Sequence, residues 1–304
     1  MEEHHCYYAN HYGFRKSCDM FTLSNKVNDI HGYFNKEYNF NNLKENDILY
    51  VKTDYIYKFS KIINTLPCKF VLVSGCSDYT IPYDLFSRKD EFIAFIENNK
   101  IIKWFVKNSV VFHPKIINLP IGVDYNIMYD YNDYNSFAKW MGPRKTPIEQ
   151  EKELVSIKNL SVPFYERQLL IYSNCHFQMN TKFGADRVTA IATIPSSLLY
   201  LEPSKINRHD GWLNQINYSF VLSPHGNGLD CYRTWEALIL GCIPIVKKSP
   251  IDILYEDLPV LIVNNWNEVN RDLLVHTIAH FKTKQFNFDK LTLKYWMQLM
   301  RNCS

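Results

Sequence analysis

Short apolar runs rich in β-branched residues alternate with stretches of helical spacing along most of this chain. That alternation, more than any other feature, narrows the folds open to it. ILYVKTD (48–54) and KFVLVSG (69–75) are strand-like runs, and the intervening YIYKFSKIINTL repeats its apolar residues at helical spacing. DEFIAFIENN (90–99) reads as an amphipathic helix opened by Asp90, with IIKWFVKNS (101–109) and KIINLPIGVD (115–124) as two further strands. A second series follows: strand QLLIYSN (168–174), helical RVTAIATI (187–194), strand YSFVLSP (218–224), helix DCYRTWEALILG (230–241) and strand CIPIVKK (242–248). It closes with strand LPVLIVNNW (258–266), helix EVNRDLLVHTIAHF (268–281) and a last helix in KLTLKYWMQLM (290–300). Apolar strands alternating with helices indicate parallel βαβ units, hence the α/β class. Between the two series, GPRKTPIEQEKELVSIKNLSVPFYER (142–167) is charged, carries three prolines and lacks a strand pattern. It marks the expected boundary, with one lobe over residues 1–155 and a second over 156–304. Open α/β sheets bind ligands at the carboxyl ends of their strands, so two such lobes predict a cleft.

Composition excludes several classes. With 46% hydrophobic and 21% charged residues over 304 positions, the chain is not disordered. A net charge of +3 leaves no broad basic field, which disfavours nucleic acid as the main partner. The eight cysteines are scattered without a CxxC, so neither a disulfide framework nor a zinc site is expected. The N-terminal MEEHHCYYANHYGF lacks a basic segment and an apolar core, and no run approaches the ~18 apolar residues of a membrane span. A reducing, cytoplasmic setting is the expectation, and a viral or bacterial chain would fit it. The 21 Tyr and 19 Phe read mainly as an AT-rich coding bias. Glycine numbers only ten, so a local cluster needs a reason.

Such a cluster lies in Ser223-Pro224-His225-Gly226-Asn227-Gly228-Leu229-Asp230-Cys231-Tyr232-Arg233-Thr234-Trp235-Glu236. The segment leaves a strand, turns through Gly226 and Gly228, and opens a helix. Such a turn brings backbone N–H groups to an anion, here a phosphate or diphosphate. It is neither a Walker A loop nor GxGxxG. Asp230, Arg233 and Glu236 follow at three-residue steps on one helical stripe, which suits a nucleotide-sugar grip. Arg233 would meet phosphate or hold the acids, and Glu236 would accept from ribose or sugar hydroxyls. The same spacing also suits a capped helix with a surface ion pair.

These residues carry a resemblance. SPHGNGLDCYRTWEALILGCIPIVKKSPIDILYEDLPVLIV (223–263) is similar to the carboxyl-terminal half of exostosin-type glycosyltransferases (family 47), above all to their ribitol-xylosyltransferase branch. SGCSDYTIP, WFVKN and HPKIINLPIGVDY resemble the amino-terminal lobe of that family more weakly, with Cys76 where an acid would be expected. The resemblance implies a GT-B fold of two Rossmann-like lobes facing across a cleft, with a UDP-sugar held by the second lobe and inversion at the anomeric carbon. The chain has no Asp-x-Asp, the usual metal motif of the other main glycosyltransferase fold, so metal-free transfer is expected, with no cofactor. The expected partners are the sugar donor and a glycan acceptor, with xylose suggested only by the branch.

Departure of a nucleoside diphosphate needs cationic or N–H stabilisation. The candidate donor ligands are therefore Arg187, which resembles a family phosphate ligand, with His225, Gly226, Asn227, Gly228, Asp230, Arg233 and Glu236. Inversion also needs a base from the first lobe. Asp78, which follows KFVLVSG, is the first candidate and Asp124 the second, while Asp54 and His113 also end strands or lie in loops. A GDP-sugar (fucosyl) transferase of the same fold and a non-catalytic glycan-binding protein are the rival readings.

Overall fold

A computed structural model describes residues 2–22, 38–125, 145–175 and 179–303, which build two all-parallel sheets. The first contains β1 (Ile48–Tyr50), β2 (Phe70–Ser74), β3 (Ile101–Val106) and β4 (Ile116–Asn118), hydrogen-bonded in that order. The second contains β5 (Gln168–Ser173), β6 (Leu199–Leu201), β7 (Tyr218–Leu222), β8 (Ile243–Lys247) and β9 (Leu261–Val263), in the order β6-β5-β7-β8-β9. Helices α1 (His11–Lys16), α2 (Ile56–Ile62), α3 (Lys89–Ile96) and α4 (Pro147–Leu160) accompany the first series. Helices α5 (Gly184–Thr193), α6 (Arg208–Gln215), α7 (Tyr232–Ile239), α8 (Arg271–Thr283) and α9 (Leu293–Arg301) accompany the second. This is the α/β architecture of two Rossmann-like lobes expected for GT-B.

The strands are apolar on both faces because both faces are covered. In β2, Val71 and Val73 join one hydrophobic cluster while Phe70 and Leu72 join another. In β7, Val221 shares the first of these clusters, and Phe220 and Leu222 enter a third. The cluster common to both lobes runs from Tyr50, Val73 and Phe105 to Trp212, Trp235 and Leu238. Their inner faces therefore belong to one continuous core. Among the described residues, no helix is long and apolar enough to cross a membrane.

Three local differences from the sequence reading have physical causes. KIINLPIGVD forms a strand only over Ile116–Asn118. The ladder ends after Leu119 donates to Val106 O at 2.9 Å, because Pro120 has no N–H to continue it. The edge strand β6 is three half-exposed residues without an alternating signal. Helix α6 carries a mid-helix glycine and five polar residues in RHDGWLNQ, but Asn207 caps it by accepting from Asp210 N at 2.9 Å.

The boundary at 155/156 falls inside α4, and residues 142–144 of the boundary segment lie outside the described residues. Thr146 and Glu149 close a capping box at the start of α4. Its Glu151 accepts from the N–H groups of Tyr7 (2.8 Å) and Tyr8 (2.9 Å) and from the Tyr125 hydroxyl (2.8 Å). Two residues on, Glu153 meets His209 of α6 at 2.6 Å, so α4 ties the lobes together. The chain end returns to the first lobe in the same way. Leu293 N donates to Tyr7 O (2.9 Å), Ala9 N to Leu291 O (2.8 Å), and Arg301 grips the Asp19 carboxylate with two nitrogens (2.5 and 2.8 Å).

The segment after β4 must pass close to the N-terminal segment. Gly122 has φ +68°, and a Cβ there would lie 1.9 Å from Ala9 O. Gly122→Ala combines a left-handed backbone with a backbone clash, and should destabilise the protein by about 3 kcal/mol or more. Urea unfolding monitored by tryptophan fluorescence measures it.

Candidate active site

In the second sheet the strand order reverses between β5 and β7, which places a crevice beyond their carboxyl ends. The loop after β7 contains the glycine turn, and the helix that next follows β5 carries Arg187. The fold thus brings these two candidates together at the switch point. Arg187 is 5% exposed and its Nε donates to His225 O at 3.2 Å. A Cβ on Gly226 would lie 2.6 Å from Arg187 Nη2 and 3.2 Å from Cys231 Sγ. Glycine is needed here for close approach, since Gly226 and Gly228 are not among the positive-φ residues. The turn also uses some of its own polar groups: Gly226 N donates to Gly228 O (3.0 Å), and Phe183 N donates to Gly226 O (3.0 Å). The His225 ring bonds to Leu229 O through Nδ1 (2.8 Å), so His225 braces the turn from within.

Arg233, in the first turn of α7, is the second cation. Its Nε reaches Asn174 Oδ1 only weakly, at 3.5 Å, and its Nη1 is buried without a hydrogen-bond partner. Burial first, and the Arg233 charge second, push Arg187 below the ordinary arginine range. Two guanidinium groups of like charge thus stand at one glycine turn, with an N–H group left unmatched. That arrangement suits a diphosphate, whose oxygens accept from several donors at once.

The first lobe closes on the same turn. Asp78, in the loop after β2, accepts from Asn227 Nδ2 through Oδ2 at 3.2 Å. Its other carboxylate oxygen has no hydrogen bond among the described residues. A Cβ on Gly228 would lie 2.7 Å from Asn108 Nδ2 and 3.4 Å from Asp78 O, so this glycine lets the lobes touch. Lys182 adds a bridge through Thr80 Oγ1 (3.1 Å) and Asp84 Oδ2 (2.5 Å). Asp124, 5% exposed, lies near the Tyr232 hydroxyl, whose titration its charge helps to push upward after burial, and Tyr232 meets His11 Nδ1 at 3.3 Å.

Two donor candidates have other occupations. Asp230 is 3% exposed, and both of its carboxylate oxygens are engaged. Its Oδ2 accepts from Ile121 N (2.7 Å), while Oδ1 accepts from Trp235 Nε1 (2.8 Å) and the Tyr255 hydroxyl (3.4 Å). With Asp230 N donating to Asn108 Oδ1 (3.0 Å), this residue fastens the two lobes. Glu236 accepts from Arg208 (2.6 Å) and Trp212 Nε1 (3.0 Å), so both of its oxygens are engaged. Arg208 in turn donates to Asp124 O (2.6 Å) and Gln150 Oε1 (3.2 Å). No ion pair joins Arg233 to Glu236 among the described residues. The stripe of Asp230, Arg233 and Glu236 therefore splits, with only Arg233 at the turn.

Elsewhere, His113 pairs with Glu97 (2.8 Å), Lys247 with Asp186 (3.5 Å) and Asp54 with Lys52 (3.5 Å). Arg208, Lys182 and Asn108 escape the sequence reading because their partners are distant along the chain. Among the described residues, no group of three or more His, Cys, Asp or Glu side chains is placed to hold a metal ion.

No family model matches the chain, and no curated relative matches it. Among solved structures, the chain is similar to an α1,3-fucosyltransferase with GDP-fucose at 10% identity, covering 95% of this chain and 86% of that one, with a TM-score of 0.35. It is also similar to the N-terminal domain of Candida albicans trehalose-6-phosphate phosphatase at 11% identity (86% and 68% covered, TM-score 0.39). A third likeness is to the UDP-GlcNAc 2-epimerase of Methanocaldococcus jannaschii, at 11% identity (90% and 79% covered, TM-score 0.38). At these scores the likenesses carry no weight for function, and the architecture rests on the two parallel sheets themselves.

Burial raises Asp230 from 3.8 to about 6, partly offset by its hydrogen bonds to Ile121 and Trp235. A carboxyl that keeps its proton more tightly in the folded state favours folding most at low pH. Its contribution should fall as pH rises from about 4 to about 6, by on the order of 3 kcal/mol. The stability of the wild type relative to Asp230→Asn should decline across that window and then level off. Parallel chemical denaturation of the two proteins from pH 4 to 8 measures this.

Proposed function

We propose that this chain is an inverting, exostosin-type glycosyltransferase that moves one sugar from a nucleoside-diphosphate donor to a glycan hydroxyl without a metal. Residues 156–304 form the donor lobe and residues 1–155 the acceptor-side lobe. The observation that carries the reading is the pair Arg187 and Arg233 at the Gly226 turn, with Arg233 Nη1 buried and unmatched. UDP is the first candidate nucleotide and xylose the first candidate sugar, both on the resemblance of residues 223–263 to the exostosin family.

The chemistry follows from the arrangement. The acceptor oxygen forms a bond to the anomeric carbon on the face opposite the leaving group. The bond from that carbon to the diphosphate oxygen breaks, and its electron pair leaves with the nucleotide. Arg187, Arg233 and the dipoles of the turn meet the charge that develops there. The acceptor proton passes to a carboxylate, for which Asp78 is best suited: it touches the donor turn through Asn227 and keeps one oxygen unoccupied among the described residues. Asp124 is the second candidate base. Asn227 becomes a link that sets the distance between base and donor.

Turnover of UDP-xylose, UDP-glucose and GDP-fucose, with titration calorimetry for UDP and GDP, tests the proposal. Asp78→Asn should lower transfer by roughly 100-fold or more while leaving nucleotide affinity within about twofold. Arg233→Met should weaken nucleotide binding by about tenfold or more, the effect of losing charge-assisted hydrogen bonds. Full turnover by Asp78→Asn would remove it as the base. A wild-type protein that binds no nucleotide would favour the glycan-binding reading.

A further inference from the structure

Strand β4 is the last of the first sheet, and its outer edge is open. Lys115 O accepts from Trp104 N (2.7 Å) and Leu119 N donates to Val106 O (2.9 Å), so the odd-numbered residues of this stretch face β3. The even-numbered ones face outward. Ile116 N turns back to His113 O (2.9 Å), but Ile116 O and both backbone polar groups of Asn118 have no hydrogen bond among the described residues. An acceptor, a donor and a second acceptor therefore stand at strand spacing along one edge, a template for another strand.

All three residues of β4 also line a pocket of about 570 Å³ to which both lobes contribute. Val110 and Phe112 come from the loop after β3, Ile253 and Leu254 from the loop after β8, and Trp296 and Leu299 from α9. Phe112 is 98% exposed and Ile253 59%, so each lobe holds a large apolar side chain in solvent at the rim. Lys290, on the pocket wall, is engaged with Glu256 O (2.6 Å). The charge offered to a ligand is thus the Glu256 carboxylate. It and the neighbouring Asp257 are exposed and make no ion pair among the described residues.

These features together select the chemistry of the occupant. An acyl chain would fill the apolar pocket but leave the edge unpaired, and a sugar ring lacks the two-residue repeat of donor and acceptor. An extended polypeptide has that repeat and carries side chains for the pocket. Three hydrogen bonds on so short an edge are weak by themselves, so the apolar contact must supply much of the affinity. We propose that β4 and this pocket bind an extended segment of a partner polypeptide, added as a further strand, with a large apolar side chain in the pocket and a basic residue beside Glu256. The pocket shares no lining residue with the Gly226 turn, and its role is independent of the transferase reading.

Selection of short linear peptides from a random display library on the immobilised full chain tests this, with fluorescence anisotropy of the synthesised peptides as the readout. Enriched peptides should share a large apolar residue and a nearby Lys or Arg. Methylating their backbone nitrogens one at a time should show a period of two, with binding at least tenfold weaker at alternate positions and within about twofold of the parent at those between. Ile253→Asp and Phe112→Asp should each weaken binding at least tenfold and, being at exposed positions, should melt with the wild type. Glu256→Gln should weaken it by about threefold, as befits a rim ion pair. No enriched peptide, no two-residue period, or undiminished binding by Ile253→Asp and Phe112→Asp would each overturn the proposal. So would a wild-type dimer in light scattering that either of these variants dissociates, because a second copy of this chain would then cover the pocket.

Discussion

Like charges repel, and the second lobe holds two of them at one turn. Arg187 is buried and Arg233 stands close enough to depress its titration, with no carboxylate of α7 between them. The acids that could have screened the pair are committed elsewhere. Asp230 is turned to Ile121 and Trp235, and Glu236 is held by Arg208 and Trp212. With Arg233 Nη1 buried and unmatched, the turn has the donors that the proposed diphosphate would need. Much of the surrounding structure keeps that arrangement in place: Gly226 admits the Arg187 guanidinium, Phe183 anchors the turn, and His225 braces it from inside.

The second constraint is contact between the lobes. Gly228 lets Asn108 and Asp78 approach the turn, while Asp230 receives Ile121 N from the first lobe. Helix α4 and the returning α9 add ties far from the crevice, through Glu151, Glu153 and Arg301. The hydrophobic cluster shared by both sheets continues through this interface. The candidate base and the candidate donor site therefore have a fixed relation to each other, which displacement at a single carbon requires.

Much of this was legible in the sequence because it is written in local pattern. Buried parallel strands show as β-branched runs, as in Phe70–Ser74 and Ile243–Lys247, and the amphipathic helices between them show by period. The glycine cluster drew attention to the turn after β7, where Gly226 and Gly228 serve close approach of neighbouring side chains. What sequence could not reveal are partners joined only by the fold. Asp230 and Glu236 share a stripe with Arg233, but contacts with Ile121, 109 positions away, and Arg208, 28 positions away, decide where they point. The return of α9 to Asp19 spans 282 positions and leaves no local trace.

We propose the Gly226 turn, with Arg187 and Arg233, as a diphosphate site facing Asp78. A crystal structure of the full chain with UDP bound tests it most directly. The diphosphate is expected between the two guanidinium groups, with Arg233 Nη1 donating to a phosphate oxygen and Asp78 facing the distal phosphate. UDP bound elsewhere, or bound at the turn with Arg233 swung away to solvent, would contradict it.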